Sequence, residues 1–189
     1  MHWRAQGRPA AALELEHATI PAYSYALYSL RPGTNNEAAQ IIQSIVTEEM
    51  LHMALVCNIL NAVGGRPSLD HPGFVPEYPC QLPLGPSGQL LVPLKRCSRQ
   101  LIRRVCMVIE QPPKPGHEHE HTLAAFYERI ERSIVALGES IFTGDAALQV
   151  RGPIGREKLQ AITNVETACH ALNEIIDQGE GSRHGDPFV

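Results

Sequence analysis

Glu48-Glu49-Met50-Leu51-His52 places a carboxylate and an imidazole three residues apart in the middle of an otherwise apolar stretch. Steps of three and four from Ile42 pick out Ile45, Glu49, His52, Val56, Ile59 and Val63, the spacing of one helix face turned toward a core. Burying a charged group without a partner costs several kcal/mol unless its pKa shifts until it is neutral. A bound metal ion removes that cost by supplying the missing positive charge. Glu and His three apart on the inner side of a bundle helix form the ligand pattern of dinuclear carboxylate centres, so the chemistry on offer is ligation of iron or manganese.

A second stripe supplies a second acid. A first helix from about Pro9, a favourable first-turn residue, to Leu30 has the inner face Leu13, Glu16, Ile20, Tyr23, Leu27, Leu30. Pro21 removes one backbone donor inside it and should bend it. Arg31-Pro32-Gly33-Thr34-Asn35 is a short turn, so the two helices are antiparallel neighbours. Glu16 lies 17 residues before Gly33 and Glu49 lies 16 after it. At about 1.5 Å per residue the two carboxylates arrive at the same height. Glu16, Glu49 and His52 then converge as one half of a carboxylate-bridged metal site. The alternative is a pair of unrelated buried acids, held by arginine or by each other.

The remaining elements must close around that pair. Gly64-Gly65-Arg66-Pro67 ends the second helix. From Pro67 to Pro93 seven prolines exclude regular helix and central strand, which makes residues 67–97 a long irregular crossover or lid. Ser98 caps a short helix over Arg99 to Glu110, and a third long helix runs from Leu123 to about Ile141 on Leu123, Phe126, Ile130, Ile134, Leu137 and Ile141. Glu128 and Glu131 lie off that stripe. A last helix, about Arg156 to Asp177, buries Val165, Cys169, Leu172 and Ile176. One further turn reaches Glu180 in a tail over 178–189, and its flanking Gly179 and Gly181 permit close approach, so Glu180 is the fourth ligand candidate. Gly116-His117-Glu118-His119-Glu120-His121 alternates metal-binding side chains but follows Pro112-Pro113-Lys114-Pro115 and reads as a solvated loop. Glu166 and His170, four apart, read as a helix-surface pair.

At 189 residues and 43% apolar content, one domain spanning 1–189 has enough material for a core. The net charge of −4 and pI near 6.1 leave no footprint for nucleic acid or an anionic membrane. No run approaches the roughly 20 apolar residues that span a bilayer, and the N-terminus lacks a signal-peptide core. Five cysteines without Cys-x-x-Cys spacing suggest reduced thiols in a cytoplasmic protein. The expected ligand is a small-molecule substrate, with a homodimer left open.

Leu15-Glu16-His17-Ala18-Thr19-Ile20-Pro21-Ala22-Tyr23, Glu48-Glu49-Met50-Leu51-His52, Phe74-Val75-Pro76-Glu77-Tyr78-Pro79, Ile109-Glu110-Gln111-Pro112, Ile141-Phe142-Thr143-Gly144-Asp145 and Gln178-Gly179-Glu180-Gly181 carry a resemblance over nearly the whole chain. The chain resembles the ferritin-like domain of the iminophenyl-pyruvate dimer synthase family of violacein-type biosynthesis. That resemblance implies an all-α, ferritin-like bundle with a long Pro/Gly-rich crossover, with Glu16, Glu49, His52 and Glu180 at metal positions. It implies iron, alternatively manganese with zinc as a substitute, and oxidation of a small amino-acid-derived metabolite. A non-catalytic helical module with a degenerate site, used for dimerisation or partner binding, is the alternative. Members of that family carry a second Glu-x-x-His after the Gln-Gly-Glu-Gly block, where this sequence has Ser182 to Val189. Glu166, His170, His184 or a second chain are the candidates to complete the site.

Overall fold

A computed structural model describes residues 8–82, 89–110, 122–155 and 157–179. Two long helices, α1 (Arg8–Tyr28) and α2 (Asn36–Ala62), form an antiparallel hairpin. The expected α2 stripe is buried along its whole length, from Ile42 at 1% exposure to Val63 at 2%. α2 stops where Gly64 turns to a positive φ of 69° and Gly65 N–H closes back on the Leu60 carbonyl at 2.8 Å, a left-handed C-terminal cap that satisfies otherwise orphaned carbonyls. α1 continues through Pro21 to Tyr28. Its buried face is broader than the stripe read from sequence: Ala12, Leu15, Ala18, Thr19, Ala22 and Ala26 are inside, while Ile20 and Leu27 are only partly covered. The small residues let α2 approach closely.

The crossover is mostly irregular, as its prolines dictate, but it contains an antiparallel hairpin of β1 (Cys80–Leu82) and β2 (Leu90–Val92), with Cys80 opposite Val92. β1 and β2 lie outside the all-helical expectation, though they do not alter the bundle. A helical run follows over 99–109. It starts as α3 (Arg99–Leu101), capped by the Ser98 hydroxyl, widens to a π turn over Ile102–Cys106, and ends as α4 (Met107–Ile109).

The second helical pair is α5 (Leu123–Leu137) and α6 (Val165–Gly179). Thr122 caps α5, and Gly138, at a φ of 68°, ends it four residues before Ile141. Between them lie two single 3-10 turns and a second hairpin, β3 (Gly152–Ile154) with β4 (Glu157–Leu159). The last helix therefore starts at Val165 rather than near Arg156. Two buried amides pin this connection. Asn58 exchanges hydrogen bonds with both backbone groups of Val150 at 2.8 Å, and Gln149 does the same with Ile162 at 2.7 Å. α6 also stays helical through Gln178 and Gly179, which the sequence had assigned to the tail. Its buried residues are Ala168, Ala171, Leu172, Ile175 and Gly179, so the inner stripe runs one residue earlier than Val165, Cys169, Leu172 and Ile176 suggest.

Candidate metal centre

Each of the four long helices sends one polar side chain or more to the middle of the bundle. From α1 comes Glu16, and from α2 come Glu49 and His52, all at 5% exposure or less. One ligand atom from each of the three lies within 4.8 Å of the others. Among the described residues no further His, Cys, Asp or Glu joins that grouping. The equal-height argument from the turn at Gly33 thus holds. Among the described residues no arginine pairs with the cluster; the ion pair within it is Glu16 Oε2 with His52 Nδ1 at 3.4 Å.

The outer atoms of these side chains are held by hydroxyls. Tyr127 on α5 donates its phenol to Glu16 Oε1, and Thr19 on α1 donates to Glu49 Oε2. Thr19 is also 2.7 Å from the Glu16 carbonyl, but its single proton serves one acceptor at a time, and the carboxylate is the stronger acceptor when ionised. His52 Nε2 meets Gln178 Oε1 from α6 at 3.1 Å. His52 Nδ1 is buried and makes no hydrogen bond.

Glu110, just past α4, is the acid that sequence reasoning did not nominate. It is 4% exposed and accepts the Tyr23 phenol at 2.5 Å. Burial pushes its carboxyl up to about 7, and Glu48 and Glu16 push in the same direction, against the Tyr23 hydrogen bond and His52. Burial likewise raises Glu49 well above its ordinary value, with Glu16 and Glu110 adding to the shift. On His52 burial is the largest influence and opposes charge, yet Glu16 facing Nδ1, with Gln178 and Glu110, outweighs it and raises the pKa above 6.5. A space this poor in water cannot hold three carboxylates and one imidazole all in their neutral-pH forms without cations; protons or a metal must supply the balance.

The donor set fits a metal. Two carboxylates and one imidazole suit iron, manganese or zinc. His52 Nδ1 faces Glu16 Oε2 at 3.4 Å without a hydrogen bond, and a cation or a proton between the two would stabilise both. Of the other candidates, Glu166, His170 and Glu128 are exposed on the outer faces of α6 and α5 and stand away from the cluster. Glu131 is half-buried and contacts Asn173 at 3.4 Å instead. Tyr28, beyond the α1 stripe, is 84% exposed, whereas Tyr23 on it is buried. Glu180, His184 and the His117–His121 run lie outside the described residues.

Known proteins agree with the bundle. A solved ferritin-like protein from Caulobacter vibrioides superposes with a TM-score of 0.70 at 24% identity, over 96% of this chain and 68% of that one. At that identity the likeness speaks for the fold alone. No curated protein matches the sequence. The family described as Ferritin-like matches residues 10–187, nearly the entire length, and the chain belongs to it.

Proposed function

We propose that the chain is a metal-dependent oxidoreductase domain of the dinuclear carboxylate type, acting on a small amino-acid-derived metabolite. The observation that carries this reading is the convergence of Glu16, Glu49 and His52 in the buried middle of the bundle, with His52 Nδ1 facing Glu16 Oε2 but not hydrogen-bonded. Glu16, Glu49 and His52 would hold the metal, with Glu180 as the proposed fourth ligand. Iron is the preferred ion, manganese the alternative and zinc a substitute. Bound there, the metal would supply redox change and activation of dioxygen or a peroxide.

The chain's own groups do the rest. Tyr127 and Thr19 fix the two carboxylates by hydrogen bonds to the oxygens. Glu110, whose carboxyl sits at about 7, can hold or release a proton at neutral pH, with the Tyr23 hydroxyl beside it. Both groups are enclosed, which keeps bulk water from competing for that proton.

A groove of about 680 Å³ between the β1–β2 hairpin and the π turn, which Glu16, Glu49, His52 and Glu110 do not line, has a composition that suits a substrate of this class. Its walls are Leu90, Leu94, Leu101 and Val105, and its charged residues are Lys95 and Arg104, with no acid among the described lining. That composition favours a small apolar anion such as an aromatic 2-keto or 2-imino acid. The resemblance to the iminophenyl-pyruvate dimer synthase family supports the same class.

One observation favours the second reading, a non-catalytic module. Tyr127, Thr19 and Tyr23 already donate hydrogen bonds to Glu16, Glu49 and Glu110, and the raised pKa values of Glu49 and Glu110 let protons take the place of a cation, so the polar core is able to stand without metal. Elemental analysis of protein from iron-rich medium decides between them. About two metal ions per chain, lost in Glu49→Ala and His52→Ala while the helical circular dichroism persists, is the expected result. Metal-free protein that takes up neither iron nor manganese on reconstitution would leave the non-catalytic module.

A further inference from the structure

Glu174, Gln178 and His52 stand in a line that ends on the cluster. Gln178 Nε2 donates to Glu174 Oε1 at 2.5 Å, Gln178 Oε1 lies 3.1 Å from His52 Nε2, and His52 Nδ1 faces Glu16 Oε2 at 3.4 Å. An ionised carboxylate only accepts hydrogen bonds. Glu174 therefore decides which end of the Gln178 amide faces it, and the nitrogen end is the one that can donate. The amide oxygen is left pointing at His52. An oxygen with no hydrogen cannot donate, so the proton of this contact belongs to the imidazole Nε2. Nδ1 is then the nitrogen with a lone pair to offer.

The last turn of α6 is built to bring Gln178 there. Gly179 is buried, and a Cβ on it would come within 2.9 Å of Leu123 Cδ2 on α5. A side chain at that position would have to push the Leu123 side chain aside, so glycine lets the end of α6 that carries Gln178 pack closely on α5. One turn back, Ile175 is fully buried and fixes the helix rotation that aims Gln178 and Glu174 along the same side.

We propose that Gln178, oriented by Glu174, is a positioning residue for His52: it holds the proton on Nε2 and so reserves Nδ1 for the metal. The proposal rests on the metal-centre reading of Glu16, Glu49 and His52. A ring whose distal N–H is tied down has one tautomer and one orientation, and loss of such a partner typically costs 10–100-fold in metal affinity. Without Gln178, the neighbouring Glu16 carboxylate would draw the proton to Nδ1, the wrong nitrogen for binding.

The test uses two readouts on wild type, Gln178→Leu, Gln178→Glu and Glu174→Gln, with His52→Ala as control and circular dichroism confirming the fold. The first is 15N histidine NMR of the metal-free chain, raised in pH until His52 is neutral. Wild type and Gln178→Glu should carry the proton on Nε2, while Gln178→Leu should move it substantially to Nδ1. Glu174→Gln should lie between, because its amide no longer fixes the Gln178 orientation. The second is Mn2+ affinity from a competitive chelator titration. Gln178→Leu should lose about 10–100-fold, and Gln178→Glu, which still accepts from Nε2–H, should recover most of it.

A neutral wild-type His52 protonated on Nδ1 overturns the proposal. So does Mn2+ binding that His52→Ala abolishes but Gln178→Leu leaves unchanged, in which case the metal centre stands and Gln178 does not orient it. If wild type binds no metal yet the tautomer moves in Gln178→Leu, the ring-positioning role holds and the metal-centre reading fails.

Discussion

Glu16, Glu49, Glu110 and His52 share a space closed to water, and their protons are what a metal must displace. Glu110 is raised from 4.5 to about 7, Glu49 is raised well above 4.5, and His52 is raised above 6.5. All three shifts mean that the folded chain binds more protons than the unfolded one, so stability falls as pH rises. For the two acids the loss begins above 4.5 and, for Glu110, is complete past about 7; the His52 contribution is full below 6.5 and disappears as pH rises through its raised value. At about 1.4 kcal/mol per pKa unit, Glu110 alone accounts for roughly 3 kcal/mol. Urea melts with a chelator present should therefore show highest stability near pH 5 and a steady decline toward pH 8. Saturating Mn2+ should reverse that slope, because ligands bind metal only when deprotonated. A flat chelator profile would count against a proton-held cluster. Tyr127→Phe keeps the core volume but strips Glu16 of its buried donor, and should cost about 1–3 kcal/mol in the same melts. The three cluster residues were legible because each interrupts an apolar stripe. Tyr127 and Thr19 were not, since tyrosine and threonine sit in cores for many reasons. Glu110 escaped notice because a π turn, invisible to a 3.6-residue period, sets its direction.

Helix α2 could be read almost residue by residue because its apolar positions are separated by clearly polar ones. In α1 the face was harder to place, since alanines occupy much of it and carry little periodic contrast. The start of α6 was set too early because residues 157–164 hold no proline or glycine to break a helical reading, yet β4 and a turn held by Thr167 and Asn164 occupy them. Pro21 lies within α1, where its ring displaces the backbone hydrogen bond that the His17 carbonyl would accept. Proline costs about 3 kcal/mol in a helix interior, so Pro21→Ala should raise the urea midpoint by the equivalent of about 1–3 kcal/mol. A lowered midpoint would mean that the altered helix geometry is itself required for packing. Gly144 shows the opposite sensitivity. Its N–H bonds the Ala62 carbonyl at 2.9 Å, and a Cβ there would overlap the Asn61 carbonyl at the end of α2. Backbone cannot yield as a side chain can. Gly144→Ala should therefore cost about 3 kcal/mol or more, visible as a large fall in thermal midpoint without change in metal stoichiometry of the fraction that folds.

Across the whole molecule, the cluster is where the two helical hairpins are fastened together. α1 and α2 contribute the ligands, α5 reaches them through Tyr127 and α6 through Gln178. The five cysteines are all free, and burial pushes Cys57 up to about 11 and Cys106 up to about 12, so no covalent bridge substitutes for that fastening. The groove beside the π turn is the feature most exposed to a charge test. An anionic apolar probe such as anilinonaphthalene sulfonate should bind there, and Arg104→Glu should weaken it at least about tenfold, with Leu148→Glu, on a remote exposed turn, as the neutral control. Equal loss in both variants would show that the probe reads surface charge and not the groove. Metal binding should act on the bundle as a unit, because an ion held by α1 and α2 also holds the partners of those ligands on α5 and α6. A ligand at 100 times its dissociation constant stabilises by about 2.7 kcal/mol if it does not bind the unfolded chain. In a domain of this size each kcal/mol moves the thermal midpoint by about 2–4 °C. Mn2+ or Fe2+ should thus raise the midpoint by roughly 5–10 °C in one cooperative transition, and Glu49→Ala and His52→Ala should each abolish the rise. A metal-induced rise that persists in both variants would place the ion somewhere other than this cluster.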